Sequence, residues 1–325
     1  MKRIIVIVLG LLAMCWTSSN AVAGRPENLR LVYWNIQNGM WDGQPDDYQR
    51  FTDWVKAQKP DVCVWCEAQP IYKTGTYTKL DNVEEWQKDE LMTKMWKRLG
   101  KRYGHKYIYI GGHRDNYPQV VTSRYPLQVV DRIIGNADTL VSHGAGWVRI
   151  NVAGKPVNIV TLHTWPQKYG YGVAKEDRDR SITENEGDKF RRAEMEYICR
   201  HTIGTDPSAA EGLWMMMGDF NSRSRVDNWV YRFAEDDTKL LVHDYIRECT
   251  PYVDIVYERD PQSFFSSTGG KSRIDFVYCT PPLAGMVEAA QIQTDNYTRP
   301  VRSKVVTSFY EPSDHRPIIV DFRIK

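Results

Sequence analysis

The chain has 325 residues, of which 42% are hydrophobic, and its 43 basic side chains nearly balance 41 acidic ones. This length and apolar content exclude a disordered chain and suit one large globular domain or two small ones. The near-neutral charge gives no support for strong nonspecific binding to duplex nucleic acid, which depends on a basic surface.

The first 23 residues have the pattern of a signal peptide. Two basic residues precede an apolar segment over 4–15, and residues 21–23 (Ala-Val-Ala) supply a small-residue cleavage site. The apolar segment is too short to cross a bilayer comfortably, which argues against a transmembrane anchor. The sequence therefore predicts an exported protein, periplasmic or extracellular, whose mature domain is residues 24–325. A lipid anchor at Cys15 is the less favoured alternative, because a methionine precedes it where a small residue is expected.

The mature chain contains five cysteines, an odd number that cannot all pair within one chain. Cys63 and Cys66 have the spacing of a redox or zinc pair, but they lie in a strand-like run, where residues three apart face opposite sides. The sequence therefore favours buried structural thiols over a disulfide scaffold.

Apolar strand-like runs alternate with amphipathic patterns along the mature chain. Apolar residues at helical spacing predict helices over 46–59, 84–99 and 184–203. Strands are predicted over 29–34, 62–66, 107–110, 119–122, 127–134, 146–152, 157–162, 213–217, 274–278, 287–294, 304–309 and 317–322. No Pro- or Gly-rich linker divides the chain. The pattern therefore favours one α/β domain with enough strands for two packed sheets.

Two stretches, 38–45 and 165–182, are predicted to be long surface loops. The second follows His163 directly and carries a dense run of charge. It is either a solvated face or a loop that shapes a substrate site.

Several predicted strands end by presenting polar side chains. The run 213–217 leads through Gly218 into Asp219 and Asn221, and a buried carboxylate in such a place requires a metal, a cation or hydrogen bonds. Other polar groups lie at or beside the ends of predicted strands: Asn35, Glu67, His163, Asp275, Asp314 and His315. Each alone is more often a turn former or a structural residue. Together they form a set that a packed sheet would gather at one edge.

This set of side chains is typical of phosphate chemistry with a hard cation. Oxygen ligands without a cysteine or multi-histidine cluster favour Mg²⁺ or Mn²⁺ over zinc. A divalent ion neutralises charge on a phosphoryl group, a carboxylate orients or deprotonates water, and histidines donate a proton or stabilise the transition state.

Short segments match a known family, in the family's order, along almost the whole mature chain. They are 34–37 (WNIQ), 65–67 (WCE), 122–127 (TSRYPL), 161–163 (TLH), 218–221 (GDFN), 273–276 (RIDF) and 313–318 (SDHRPI). Together they resemble the endonuclease/exonuclease/phosphatase superfamily, the DNase I-like group that includes DNase I and secreted sphingomyelinases. The resemblance implies a four-layer α/β sandwich, in which two packed mixed β-sheets are flanked by helices and the site lies at one edge of the sheets.

The resemblance also implies a ligand set and a cofactor. Glu67, with Asn35 and Asp314, would hold the Mg²⁺ or Mn²⁺ ion. The protein would then be a metal-dependent phosphoric ester hydrolase.

The remaining matching residues would carry out hydrolysis without a covalent enzyme intermediate. Asp219 would orient or activate the attacking water, and Asn221 would contact the phosphate and its transition state. His315, oriented by Asp275, and His163 would transfer a proton or stabilise the phosphate.

Four residues are candidate substrate contacts. Trp41, Trp165 and Tyr169 lie in segments expected near the site, where aromatic rings stack on a sugar or base or line an apolar pocket. The alternative is that they pack the loops against the domain. Arg223 follows Asn221 closely and is a candidate phosphate contact.

Three functions remain open on the sequence alone. The first is an exported phosphodiesterase or phosphatase acting on a small-molecule, lipid or sugar phosphoester. The second is an extracellular DNase I-like endonuclease whose basic strip would follow a nucleic acid backbone. That strip would consist of Arg223, Arg225, Lys271, Arg273, Arg299, Arg302 and Lys304. The third is a noncatalytic exported binding protein on the same fold.

Two residues weigh against nucleic acid as the substrate. DNase I-like members place an arginine for nucleic acid contact shortly after the metal-binding glutamate, whereas Ala68 and Gln69 stand there in this chain. The sequence shows no need for an obligate protein partner, and a monomer is expected.

Overall fold

The structure is a computed structural model that describes residues 27–40, 46–69, 72–73, 76–77, 85–113, 115, 117–136, 139–167, 169–170, 174–304 and 307–325. The predicted signal peptide, Cys15 and the candidate contact Trp41 lie outside the described residues.

Strands form most of the framework of the described part of the chain. In chain order they are β1 (Glu27–Asn35), β2 (Val62–Cys66), β3 (Tyr72–Lys73), β4 (Thr76–Tyr77), β5 (Tyr107–Gly111), β6 (Gln119–Ser123), β7 (Gln128–Asn136), β8 (Thr139–Val152), β9 (Lys155–His163), β10 (Leu213–Asp219), β11 (Val253–Asp254), β12 (Asp275–Cys279), β13 (Val287–Ile292), β14 (Val301–Arg302), β15 (Tyr310–Glu311) and β16 (Ile318–Ile324).

Helices connect these strands. In chain order they are α1 (Gln37–Met40), α2 (Gln49–Gln58), α3 (Glu85–Arg102), α4 (Lys175–Thr183), α5 (Glu186–His201), α6 (Asn228–Tyr231), α7 (Leu241–Cys249), α8 (Ile255–Arg259) and α9 (Pro281–Ala284). Short 3-10 turns lie at Ile203–Thr205, Ala209–Glu211, Arg225–Asp227 and Thr238–Leu240.

Two six-stranded mixed sheets lie at the centre of the fold. The strand order is β13-β16-β1-β2-β6-β5 in the first sheet and β11-β12-β10-β9-β8-β7 in the second. Each sheet contains one parallel pair, β1 with β2 and β9 with β10, among antiparallel neighbours. This arrangement confirms the predicted sandwich of two packed mixed sheets.

Three layers of apolar side chains hold the sandwich together. Side chains on one face of β1 and β2 pack against β9, β10 and β12 of the other sheet. The outer face of the first sheet is covered by α2 and α3, and that of the second by α5 and α7. All seven residues of β10 are buried, as expected for a central strand whose two faces are both covered.

The aromatic layer under α2 and α3 reaches the polar edge of the first sheet. Trp65 stacks on Trp96 with ring centroids 5.8 Å apart. The indole of Trp96 donates to Ala68 O at 3.1 Å, and that of Trp34 donates to His315 O at 2.9 Å. The buried indoles therefore fix the backbone beside two of the predicted site residues.

Two local predictions were wrong. Residues 304 and 307–309 are not in a strand, and the hairpin of β14 and β15 flanks them instead. The second half of the predicted loop 165–182 is the helix α4, whose first turn carries Glu176 and Asp177, which suit the positive end of a helix. A charge run alone does not distinguish a solvated helix from a loop.

The five cysteines among the described residues are all free, and all but Cys249 are buried. The prediction of buried thiols is therefore confirmed for Cys63 and Cys66, whereas Cys249 is exposed. Cys63 faces the layer under α2 and α3, whereas Cys66 faces the space between the sheets. In the described ranges, no helix combines the length and apolar character needed to cross a membrane.

Candidate active site

The polar strand ends meet at one edge of the sandwich. Because β9 and β10 are parallel and in register, His163 pairs with Asp219 as the last residues of their strands. The antiparallel β12 begins at the same edge, so its first residue, Asp275, is the other neighbour of Asp219. In the first sheet, Asn35 lies beside Cys66, the residue that precedes Glu67.

Gly218 allows the strand that carries Asp219 to approach its neighbour. A Cβ atom at Gly218 would lie 2.1 Å from the Leu162 carbonyl oxygen, a distance that no side chain tolerates. Glycine at this place therefore sets the position of the carboxylate that follows it.

Asp219 is a buried carboxylate with two protein donors. Its Oδ1 accepts from Asn221 N at 2.9 Å, and its Oδ2 accepts from Asn35 Nδ2 at 3.1 Å. Burial, followed by the nearby negative charge of Asp275, raises the pKa of Asp219 to about 7. The group is therefore poised to exchange a proton near neutral pH.

Glu67 faces the same space from the first sheet. Its Oε1 also accepts from Asn35 Nδ2, at 3.2 Å, and its Oε2 accepts from Asn38 N at 3.2 Å. Asn38 and Gly39 adopt left-handed conformations in α1, and this turn brings the donor to the carboxylate. Burial and the charge of Asp314 raise the pKa of Glu67.

The amide of Asn35 is oriented as a donor. Its Nδ2 is shared between the two carboxylates, and its Oδ1 accepts from Gln37 N at 3.0 Å. In this orientation Asn35 holds Glu67 and Asp219 together and presents no oxygen to a cation between them. Asn35 can act as the predicted metal ligand only if its side-chain amide flips, which exchanges the positions of Oδ1 and Nδ2.

His315 and Asp275 form a buried pair. His315 Nδ1 lies 2.7 Å from Asp275 Oδ2, and the carboxylate also accepts from Tyr33 and Ser267 hydroxyls, each at 2.7 Å. Burial disfavours the charged imidazole, but the carboxylates of Asp275 and Asp314 raise the pKa of His315 well above its usual value. The other ring nitrogen, Nε2, lies 3.8 Å from Asp219 Oδ2.

His163 approaches the same carboxylate oxygen. Its Nε2 is 3.8 Å from Asp219 Oδ2 and 3.9 Å from Glu67 Oε1. Burial and the positive charges of His143 and His315 lower the pKa of His163 well below its usual value. The surroundings therefore favour the neutral form of His163 and the cationic form of His315.

The sequence reasoning missed a third histidine at this site. His143 lies in β8, and its ring centroid is 4.4 Å from that of His163. Its Nδ1 is 2.7 Å from Asp115 Oδ2, and this carboxylate raises the pKa of His143 against the opposing effect of burial. No local motif marks either residue, because they are 28 positions apart and meet only when β8 joins the sheet.

Asn221 and Arg223 lie just beyond Asp219. Asn221 has a φ of 45° and donates from Nδ2 to Thr164 O at 3.1 Å, which leaves its second amide hydrogen for a ligand. Arg223 donates from Nη1 to Gln167 Oε1 and from Nη2 to Ser272 Oγ, the latter at 3.0 Å.

The remaining predicted residues line the cleft with different exposure. The Asp314 side chain is 38% exposed, with Oδ1 3.8 Å from His315 Nε2. Trp165 packs edge-on against Phe190, and its indole donates to Tyr169 O at 3.0 Å. Tyr169 is 56% exposed. This hydrogen bond links Trp165 to Tyr169. Both residues border the cleft.

Most of these side chains line one cavity of about 1000 Å³. Its lining includes Glu67, His143, His163, Trp165, Tyr169, Asp219, Asn221, Arg223, Asp314 and His315. Asp275 and Asn35 do not line it and act through the residues they contact.

The donor set fits a divalent metal ion. Glu67, His163 and Asp219 each offer a ligand atom within 4.8 Å of the others. The carboxylates of Glu67 and Asp219, both with raised pKa values, share the Nδ2 donor of Asn35 and have one backbone N–H donor each, so two acidic groups face the same space. Asp314 does not belong to this group, although its charge acts on Glu67.

The fold and this site define a DNase I-like α/β sandwich with an acidic and histidine-rich cleft. The chain belongs to the Endonuclease/Exonuclease/phosphatase family, whose model matches residues 32–315. Members of this family are hydrolases that act on phosphoester bonds. No curated protein sequence matches the chain at a significant level.

Solved structures of low sequence identity share the fold. An AP endonuclease from Archaeoglobus fulgidus is 16% identical, with a TM-score of 0.59, over 90% of this chain and 99% of its own. An endonuclease/exonuclease/phosphatase from Beutenbergia cavernae is 18% identical, with a TM-score of 0.57, over 91% of this chain and 72% of its own. A Neisseria 3′ phosphatase bound to a product DNA hairpin is 14% identical, with a TM-score of 0.56, over 90% of this chain and 99% of its own.

Proposed function

We propose that this protein is a divalent-metal-dependent phosphoric ester hydrolase that cleaves a phosphodiester or phosphomonoester by direct attack of water. The observation that carries the proposal is the approach of His163 and His315 to Asp219, with an Nε2 atom of each histidine 3.8 Å from the same oxygen. Such a carboxylate and two histidines of different charge supply a base, a neutral donor and a cationic donor in one cleft.

The proposed roles follow from the protonation states. Ionised Asp219 orients the water and takes its proton as the new P–O bond forms. His315, kept cationic by Asp275, donates to a phosphoryl oxygen or to the leaving oxygen as the ester bond breaks. Neutral His163 and the second amide hydrogen of Asn221 contact the other phosphoryl oxygens.

Mg²⁺ or Mn²⁺ would be held by Glu67, assisted by the neighbouring carboxylates and by Asn35 after its amide turns. When bound, the ion neutralises charge on the phosphoryl group. The residues packed around Glu67 and Asp219 hold these two carboxylates close together and exclude water from one side of them.

The direct test uses aryl phosphodiesters and phosphomonoesters with Mg²⁺, Mn²⁺ or EDTA. Asp219→Asn and His315→Gln are expected to lower kcat by about 10²–10⁴-fold, as for removal of a general acid or base. His201→Gln is the matched control, because His201 lies on α5 away from the cleft. Full activity in EDTA or in the Asp219 variant would overturn the mechanism.

An endonuclease is the second candidate, favoured by the size of the open cleft. Two members of the predicted basic strip are already paired with acids, Arg225 with Asp244 and Arg273 with Asp227. A nuclease that uses several phosphate contacts should lose most of its activity between about 50 and 200 mM salt. A flat salt response on DNA and RNA would eliminate this candidate.

A noncatalytic binding protein is the remaining alternative. Absence of hydrolysis across nucleic acids, sphingomyelin, sugar phosphates and inositol phosphates with Mg²⁺ would favour it over both enzyme proposals.

Export to the periplasm or the extracellular space is also a proposal, supported by the N-terminal sequence pattern. Mass spectrometry of the protein from a host with an export pathway should show a mature chain beginning at Gly24. A full-length mass would contradict export by cleavage, and a lipid adduct at Cys15 would establish an anchor instead.

A further inference from the structure

A second, smaller cavity adjoins the catalytic cleft. Its volume is about 140 Å³. The two cavities share five lining residues: Gln167, Tyr169, Gly170, Asn221 and Arg223. The predicted catalytic residue Asn221 therefore lies on the boundary between the two spaces.

The small cavity has a predominantly basic lining. Three cationic side chains, Arg191, Arg223 and Lys239, line the small cavity against one carboxylate, Asp188. Its lining thus carries two excess positive charges. We call this space the basic cavity.

Arg223 differs from the other two cations in its partners. Arg191 pairs with Asp188, and Lys239 pairs with Asp237 at 3.2 Å. Among the described residues, Arg223 forms no ion pair. Its side-chain hydrogen bonds go to the neutral residues Gln167 and Ser272.

Arg223 is also partly buried. Its guanidinium lies 5.6 Å from the ring centroid of Tyr231, and burial lowers its pKa. A cation in this position without a carboxylate partner is costly unless a ligand brings the opposite charge. A guanidinium fork suits a phosphate group, whose oxygens accept two parallel hydrogen bonds.

The wall of the basic cavity limits the size of that ligand. The loop at Gly170 packs directly on α4, because a Cβ atom there would lie 2.5 Å from Arg178 O and 2.7 Å from Ile182 N. With a volume of about 140 Å³, the basic cavity suits a terminal phosphate better than a continuing polymer chain.

We propose that the basic cavity binds a second phosphate group of a compact substrate, while the scissile phosphoester lies beside Asp219. Arg223 is the main contact, and Lys239 adds positive charge at the rim. The inference rests on the proposed phosphoesterase function and narrows it to small bisphosphorylated molecules.

The test compares matched bisphosphates and monophosphates on fructose, inositol and nucleoside scaffolds, each assayed with Mg²⁺ for phosphate release. The native protein is expected to prefer the bisphosphate in at least one pair by about tenfold or more in kcat/KM. Arg223→Gln should reduce that preference towards unity, mainly by raising KM for the bisphosphate.

Arg225→Gln is the matched control, because Arg225 is paired with Asp244 and Glu235 and lines neither cavity. Lys239→Gln, at an exposed side chain, provides a second reading if the Arg223 variant does not fold, and should reduce the preference partially. The inference would be overturned if the native protein hydrolysed the substrates without preference in any pair, or if the variants lost activity equally on both members of a pair. Either result would leave the phosphoesterase proposal intact. Absence of hydrolysis of every pair would also overturn the inference, and only absence of hydrolysis of the aryl phosphodiesters and phosphomonoesters as well would contradict the proposed function.

Discussion

Asp275 Oδ2 lies 2.7 Å from Nδ1 of His315, and both side chains are buried. The contact joins the first residue of β12 in one sheet to a residue three positions before the start of β16 in the other. It therefore couples the charge of a cleft histidine to the packing of the two sheets.

Asp275→Asn is expected to move the alkaline limb of the pH–kcat profile to lower pH. The carboxylate of Asp275 raises the pKa of His315, so its removal lets His315 lose its proton at lower pH. Ser267→Ala, which removes one neutral donor to the same carboxylate, should shift the limb less. A lower kcat with an unmoved limb would assign Asp275 a structural role only.

Asp219→Asn is expected to stabilise the metal-free protein above neutral pH. The folded pKa of Asp219 is raised from 3.8 to about 7, so the folded state holds a proton that the unfolded state releases first. The contribution of this group to stability is therefore present at low pH and is lost as pH rises from about 4 to about 7. Thermal melts in EDTA should show the native Tm falling relative to the variant across this range, and parallel curves would contradict the prediction.

Mg²⁺ is expected to raise Tm more at about pH 8 than at about pH 5. The carboxylates of Glu67 and Asp219 must be ionised to bind the ion, and both have raised pKa values. Differential scanning fluorimetry with and without EDTA measures the shift, and Glu67→Gln should reduce it at high pH. An equal shift at both pH values in the native protein and the variant would place metal binding elsewhere.

Gly218→Ala is expected to destabilise the protein by about 1–3 kcal/mol or more, because the added Cβ would meet Leu162 O at 2.1 Å. Gly285→Ala is the matched control, since the nearest atom to its Cβ would be at an ordinary 3.5 Å. Urea denaturation gives both free energies of unfolding. Equal free energies of unfolding for the two variants would show that β9 and β10 move apart to accommodate the added Cβ atom without loss of stability.

Asp115→Asn is expected to lower the pKa of His143 and to raise that of His163. Asp115 favours the charged form of His143, and that charge opposes protonation of His163. NMR titration of the imidazole resonances measures both values. A fall in the pKa of His143 without a rise in that of His163 would show that the two neighbouring rings are not electrostatically coupled.

Much of the framework followed from local sequence patterns. The buried run that becomes β10 and the amphipathic spacing of α2, α3 and α5 were predicted within a few residues. The predicted strand ends did meet, because parallel strands in register bring their last residues to one edge. The helix α4 was missed, since its charged residues show no apolar stripe.

The sequence by itself determined the family, the two-sheet framework and the set of polar residues at strand ends, because periodicity and short motifs are local properties. Tertiary structure decided which of them act on one another. Only packing places His143 against His163, turns the amide of Asn35 towards two carboxylates and leaves Arg223 without an acidic partner among the described residues. Those contacts join residues far apart in the chain, and charge, burial and hydrogen bonding at each of them depend on neighbours that no local pattern specifies.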